Sequence, residues 1–158
     1  MANPQNRITT KMSEKFKDRL LKILDDEGCS KSELARRSRI SYAVMSHMTV
    51  YGIVPTTAIL IKLANCLEFP MAYILGESDN KEFYKSEVPT TFHVRLEELR
   101  KEKNTTYPKI ANILNFPDSY FRIWIYRRSL PFIDYIKLIA EYFKVSIDYL
   151  LGRTDYRD

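Results

Sequence analysis

The side chains that most often carry out chemistry are scarce in this chain. It contains two histidines, His47 and His93, and two isolated cysteines, Cys29 and Cys66. A metal site needs such residues at close, paired spacing, and nucleophilic catalysis needs an ordered set of nucleophile, base and acid. Neither pattern is present, and none of the four glycines belongs to a phosphate-binding loop. We therefore expect a protein that is not an enzyme, holds no metal or cofactor and keeps both thiols reduced.

The charged side chains instead suit a polyanionic partner. The formal net charge is +5, with an excess of three cations in residues 1–85 and two in residues 86–158. A mild positive charge is common among unrelated proteins, but arginines also lie close together in each half of the chain. They are Arg36, Arg37 and Arg39, and then Arg122, Arg127 and Arg128. The second group suggests phosphate contacts, whereas the first is equally compatible with a solvated helix face.

These arginines belong to an internal repeat. A shift of 76 positions aligns residues 16–79 with residues 92–155 without a gap and gives ten identical pairs. The pairs are Phe16/Phe92, Arg19/Arg95, Leu20/Leu96, Ala35/Ala111, Pro55/Pro131, Ala64/Ala140, Tyr73/Tyr149, Leu75/Leu151, Gly76/Gly152 and Asp79/Asp155. An ungapped register of this length is hard to reach by chance. We interpret the chain as two copies of one domain, residues 12–79 and 91–155, joined by a charged, proline-containing linker at residues 80–90.

Each copy is predicted to contain five helices. In the first copy they cover residues 14–27, a short stretch from 31, residues 42 to about 50, about 56–67 and 70–76. The expected boundaries are Gly28, a capping box at 30–33, an N-cap at Ser41 and a break at Tyr51-Gly52. In the second they cover residues 91–103, 107–114, 118–127, 132–143 and 147–151. Met45, Met48, Phe121 and Trp124 form the stripes expected in the cores. Because no stretch alternates with a period of two, we predict an all-α fold without strands.

Short motifs recur in the same order in both copies. The first has Ser30–Ala35, Ile40-Ser41, Met45-Ser46, Pro55, Lys62–Ala64 and Tyr73–Gly76; the second has Ile110-Ala111, Phe116, Phe121, Trp124, Pro131, Lys137–Ala140 and Ser146–Gly152. This set resembles the Cro/C1-type helix-turn-helix family of bacterial and phage repressors. The resemblance implies two tandem five-helix, lambda-repressor-like domains. It also implies a transcriptional regulator that binds double-stranded DNA in a sequence-specific manner, with repression favoured.

The resemblance also implies which residues contact DNA, because the second helix of such a domain crosses the backbone and the third enters the major groove. In the first copy these residues are Lys31, Ser32, Ser41, Tyr42, Ala43, Ser46 and His47. In the second copy they are Tyr107, Ser119, Arg122, Arg127 and Arg128. Lys31 and Ser32 are expected near a phosphate, where free amides and a cation suit an anion. Tyr42 and Tyr107 are expected to be exposed, and His93 to be an ordinary surface residue.

Three arrangements of partners are compatible with this pattern. One chain reads DNA with both domains, or domain one reads DNA while domain two forms a homodimer, or both domains bind other proteins without base contacts. The apolar Ile123, Ile125 and Tyr126 favour the homodimer, because such side chains suit a protein surface better than a phosphate backbone. Fold alone does not choose between DNA and protein partners.

Location and ligands are expected to be simple. No apolar run is long enough to span a bilayer, and the first eleven residues lack the apolar segment of a secretion signal. We therefore expect a cytoplasmic protein without a membrane partner. No further domain follows the second copy in this sequence, so we also expect no small-molecule ligand.

Overall fold

The computed structural model of the protein describes residues 11–158 and is all-α, as predicted. Within that range there are ten helices and no strand; an isolated antiparallel bridge joins Met12 to Ile53. The described chain divides into two compact units, with the boundary between Phe83 and Tyr84. Residues 1–10, on which the prediction of no secretion signal depends, lie outside the described range.

The first unit contains five helices: α1 (Glu14–Glu27), α2 (Lys31–Ser38), α3 (Tyr42–Tyr51), α4 (Thr57–Leu67) and α5 (Met71–Ile74). Helix α1 packs against α3 and α5, α2 packs against α3 and α4, and α4 packs against α5. Met45 and Met48 of α3 are fully buried with Phe16 and Leu20 of α1, which confirms the predicted methionine stripe. Helix α3 is thereby fixed with one side in the core.

The second unit also contains five helices: α6 (Phe92–Glu102), α7 (Tyr107–Leu114), α8 (Ser119–Tyr126), α9 (Ile133–Phe143) and α10 (Ile147–Leu150). Helix α6 packs against α10, α7 against α8, and α9 against α10. Phe121 and Trp124 of α8 are buried, as predicted, and their ring centroids lie 5.3 Å apart. Phe116 and Tyr135 complete this aromatic core, 6.1 and 5.6 Å from Trp124.

The backbone turns of the two units coincide in sequence. Ten described residues have a positive φ angle, and they form five pairs separated by 76 positions. The pairs are Gly28/Asn104, Arg39/Asn115, Gly52/Arg128, Glu68/Lys144 and Gly76/Gly152. Left-handed residues commonly end helices, so both units turn at the same positions of the repeat even where glycine is replaced.

An arginine on the first helix of each unit contacts the C-terminal part of that unit. The guanidinium of Arg19 donates hydrogen bonds to the carbonyl of Tyr73 at 2.6 Å and to Asp79 at 2.8 Å, and it lies 4.1 Å from the Tyr73 ring centroid. In the second unit Arg95 likewise donates to Asp155 at 3.1 Å and lies 3.9 Å from the Tyr149 ring centroid, while its backbone partner is the carbonyl of Thr154. The arginine, the tyrosine and the aspartate are three of the ten identical pairs in the repeat. In each unit they join the first helix to the C-terminal part of that unit.

Part of the predicted linker folds onto the second unit. Thr154 Oγ1 donates to the carbonyl of Tyr84 at 2.6 Å, and the amide of Ser86 donates to the carbonyl of Arg153 at 2.9 Å. The Ser86 hydroxyl also donates to Asp155 at 2.7 Å. These bonds make residues 84–86 part of the second unit, although the sequence placed them in the linker.

Candidate nucleic-acid interface

The start of α2 combines free amides with a cation. Ser30 caps the helix, since its Oγ accepts a hydrogen bond from the Glu33 amide at 3.1 Å, which is one half of the predicted capping box. Lys31 is half-buried in the first helical position and Ser32 is exposed beside it. The N-terminus of a helix attracts anions because its first amides are unpaired and its dipole is positive there. This end of α2 therefore has the general features of an anion site, with the exposed carboxylate of Glu33 in the same turn.

A short turn connects α2 to α3 and fixes where α3 begins. Arg39 ends α2 with φ 58°, and the buried Ile40 follows it. Ser41 then caps α3, because its Oγ accepts from the Val44 amide at 3.2 Å. The left-handed angle that many residues avoid is adopted here by an arginine. Its exposed side chain joins those of Arg36 and Arg37 on the surface of the unit.

Helix α3 presents to solvent the residues that the sequence assigned to base contacts. Tyr42 has 57% of its surface exposed, Ala43 and His47 are exposed and Ser46 is half-buried. Positions separated by three or four residues share one side of a helix, so these side chains line the side opposite the buried methionines. The expectation that Tyr42 is exposed is confirmed.

The outward side of α3 is longer than predicted. Val50 is 41% exposed, and Tyr51, which was expected to break the helix, is its last residue and 58% exposed. Gly52 provides the left-handed turn one position later. The rings of His47 and Tyr51 lie 6.3 Å apart. Val50 and Tyr51 lie four positions after Ser46 and His47. This spacing is the sequence signal that could have placed them on the outward side of the helix.

The second unit differs from the expectation at Tyr107. This residue aligns with Lys31 and was predicted to be exposed and to contact DNA, but it is half-buried. Its hydroxyl donates to Glu97 at 2.5 Å and its ring stacks on Phe121 with centroids 5.4 Å apart. Burial first, and then this hydrogen bond, raise the pKa of the Tyr107 phenol. The prediction of an exposed Tyr107 is wrong, because the side chain contacts Glu97 of α6 and Phe121 of α8.

The start of α8 also differs from that of α3. Helix α8 begins at Ser119, one residue later than predicted, because Pro117 and Asp118 belong to the turn. Ser119, predicted to face DNA, has 8% of its surface exposed and lies against the core. Pro117 stands at the position of Ser41, so the serine cap of α3 has no counterpart. The prediction of an outward Ser119 is therefore wrong.

The three arginines of the second unit that were predicted to contact DNA are exposed at or just beyond α8. Arg122 lies on the helix, and Arg127 and Arg128 follow its end, with Arg128 at φ 51°. Tyr126 lies between them and is 82% exposed, while Asp118 is exposed at the other end of the helix. This surface therefore has an acidic beginning, a basic end and a large aromatic side chain.

His93 is not the ordinary surface residue that the sequence suggested. It is half-buried on α6, with Nε2 2.9 Å from the carbonyl oxygen of Ser129. Its ring meets Phe92 edge-on with centroids 5.2 Å apart. The residue therefore packs within the second unit, and sequence spacing alone gives no signal for a partner 36 positions away.

Comparison with known proteins gives no relative for the chain. No protein family, curated protein or solved structure matches it. Among residues 11–158, no helix has the length and apolar content needed to cross a bilayer. The same range contains no cluster of three or more His, Cys, Asp or Glu side chains placed to hold a metal ion.

Proposed function

We propose that the chain is a transcriptional repressor that binds double-stranded DNA in a sequence-specific manner through α3 of its first unit. In this proposal both units are Cro/C1-type helix-turn-helix domains, as the ordered motifs suggest. In such a domain the helix before the turn crosses the DNA backbone and the helix after the turn enters the major groove. The proposed activity is binding rather than catalysis.

The observation that carries the proposal is the two-sided character of α3. Met45 and Met48 anchor one side in the core, whereas Tyr42, Ala43 and His47 project from the other. Exposed side chains on a rigidly anchored helix are available for another molecule. The major groove of B-DNA is wide enough to admit an α-helix, so these residues can reach base edges.

Charge around α3 supports a phosphate-lined partner. Lys31 and Ser32 lie at the α2 N-terminus, and three exposed arginines follow along α2 and the turn. Contacts of this kind position a protein on the duplex without reading sequence, while the groove helix specifies the bases. The first unit thus has both classes of contact in adjacent elements.

For the second unit, the contacts favour self-association. Tyr107 and Ser119 are withdrawn from solvent, while Asp118, Arg122 and Tyr126 are exposed at intervals of four residues along one side of α8. Two copies of α8 packed antiparallel would place the acidic beginning of each against the basic end of the other. A two-fold interface brings the same surface of both chains together, so this complementarity favours a homodimer.

Binding selection from random duplex DNA tests the proposal. The full chain is expected to enrich a defined sequence, with half-sites related by a two-fold axis if the homodimer forms. Enrichment of no sequence, together with recovery of a stable protein complex from cells, would instead support a protein-interaction module on the same fold.

A further inference from the structure

The outward side of α3 has an unusual composition for a helix proposed to read bases. None of its ten residues, Tyr42–Tyr51, is Lys, Arg, Asp, Glu, Asn or Gln. The groups it presents to solvent are mainly methyls and rings, from Ala43, Val50 and two tyrosines. The chemistry available to this helix is therefore largely apolar.

Few hydrogen-bonding groups remain on α3. The hydroxyl of Thr49 is buried and donates to the carbonyl of Met45 at 2.9 Å, so it is used within the helix. Ser46 is half-buried and His47 is exposed, and the exposed Tyr42 and Tyr51 each carry one phenolic hydroxyl. A single donor of this kind can approach the N7 acceptor that both purines carry, which distinguishes adenine from guanine poorly.

Base edges in the major groove differ in the side chains they favour. Guanine is read by Arg or Lys, adenine by Asn or Gln and cytosine by Asp or Glu, whereas thymine offers its C5 methyl group to apolar side chains. Helix α3 has none of the side chains that favour guanine, adenine or cytosine, and it presents the apolar side chains that favour thymine. The exposed cations of this unit lie instead on α2 and in the turn, where they suit phosphates.

We propose that α3 recognises its DNA site through thymine methyl groups. The bases that it contacts in the major groove are therefore rich in thymine. This inference rests on the proposed function of the first unit. Ala43, His47 and Val50 share one side of the helix, which allows successive contacts along the groove. An apolar helix surface also suits a protein partner, and the experiment below separates the two.

The test replaces thymine with deoxyuridine, one position at a time, in the duplex that the full chain selects from random DNA. Deoxyuridine pairs with adenine in the same way and lacks only the methyl group. Each contacted thymine should lose about fourfold in affinity, the value of burying one methyl-sized group. The protein is unchanged in this arm, so folding of a variant cannot confuse the result.

A pair of matched valine variants locates the contact. Val50→Ala should bring the thymine-to-uracil affinity ratio at one position close to one. Val94→Ala removes an equally exposed valine from α6, 44% against 41%, and should leave every ratio unchanged. Circular dichroism of both variants checks that the helices persist.

The possible results separate this inference from the proposed function. A selected site with methyl-dependent positions supports both. A selected site that is rich in G·C pairs, or one that binds equally well with uracil, overturns the inference and leaves DNA reading intact. Failure to select any sequence overturns both the inference and the proposed function.

Discussion

The hydroxyl of Tyr107 donates a 2.5 Å hydrogen bond to Oε2 of Glu97, a carboxylate that also binds Arg100 through two guanidinium nitrogens at 2.6 and 2.9 Å. Tyr107 aligns with Lys31, so the first unit has a cation where the second has a neutral phenol bound within its own fold. The two units therefore differ at the start of the helix that is proposed to lie on the DNA backbone.

The Glu97 cluster should make the stability of the second unit depend on pH. Hydrogen bonds from Arg100, and then from Tyr107, lower the pKa of Glu97 to about 2. A carboxyl with a lower pKa in the folded state stabilises the fold above its unfolded value near 4.3, and this contribution is lost as the pH falls toward 2. Glu97→Gln should reduce the unfolding free energy by less than about 1 kcal/mol at neutral pH, because the side chain is 40% exposed, and the reduction should shrink between pH 5 and 2.

Denaturant unfolding at several pH values checks this prediction. Glu98→Gln, an exposed neighbour outside the cluster, is the control and should show no such trend. A deficit for Glu97→Gln that stays constant from pH 7 to pH 2 would contradict the assigned pKa.

Gly76 should tolerate alanine much less well than Gly28. Both have left-handed backbone angles, φ 76° and 60°, which cost any L-residue about 1 kcal/mol or more. A Cβ at Gly76 would lie 2.5 Å from the Lys15 carbonyl oxygen, whereas a Cβ at Gly28 would meet nothing within 4 Å. Thermal or denaturant unfolding should therefore show Gly76→Ala less stable than Gly28→Ala by at least about 1 kcal/mol. Equal losses would mean that the approach of α1 to this glycine is not as tight as described.

Local signals in the sequence predicted much of the first unit. The Ser30 and Ser41 caps and the buried Met45 and Met48 depend on residues within four positions of each other, where helix periodicity and capping act. The cap at Ser41 also starts α3 at the expected residue, and therefore sets which of its side chains face solvent.

Contacts between distant segments explain what the sequence could not predict. Tyr107 is held by Glu97 on another helix. Ser119 is a local exception, because Pro117 and Asp118 belong to the turn and delay the start of α8. The tie from Arg19 to Tyr73 and Asp79 spans 54 and 60 positions. The repeat marked these three residues as identical pairs, but only their packing explains why they recur.

Lys31 should contribute to DNA affinity without contributing to sequence choice. Because a phosphate contact releases a counterion, Lys31→Ala should weaken binding to all duplexes alike and lower the slope of log affinity against log salt by about one. Lys22→Ala removes the same charge from α1, where Lys22 pairs with Asp26 at the surface, and is the matched control. The measurement is the affinity of both variants for DNA from 50 to 200 mM salt. An identical salt slope for the two variants would show that Lys31 does not contact DNA.

Self-association should depend on Tyr126 and not on Tyr42. Truncation of a central aromatic residue commonly costs an interface more than about 1 kcal/mol, so Tyr126→Ala should weaken the homodimer at least about fivefold. Tyr42→Ala removes an exposed tyrosine from the corresponding helix of the first unit and should leave the solution mass unchanged. Analytical ultracentrifugation over a range of concentrations provides the measurement. A monomeric wild-type chain, or a Tyr126→Ala protein that associates as strongly as wild type, would contradict this assignment of α8.

The most direct test of the central claim compares binding of the selected duplex and of single-mismatch duplexes by Tyr42→Ala, His47→Ala and Tyr126→Ala. If α3 reads the bases, the first two variants should each lose about 1–3 kcal/mol of discrimination between matched and mismatched sites. Tyr126→Ala should prefer the same half-site sequence as the wild type, since it alters only the proposed dimer surface. Unchanged affinity and discrimination in both Tyr42→Ala and His47→Ala would contradict the assignment of α3 to the major groove.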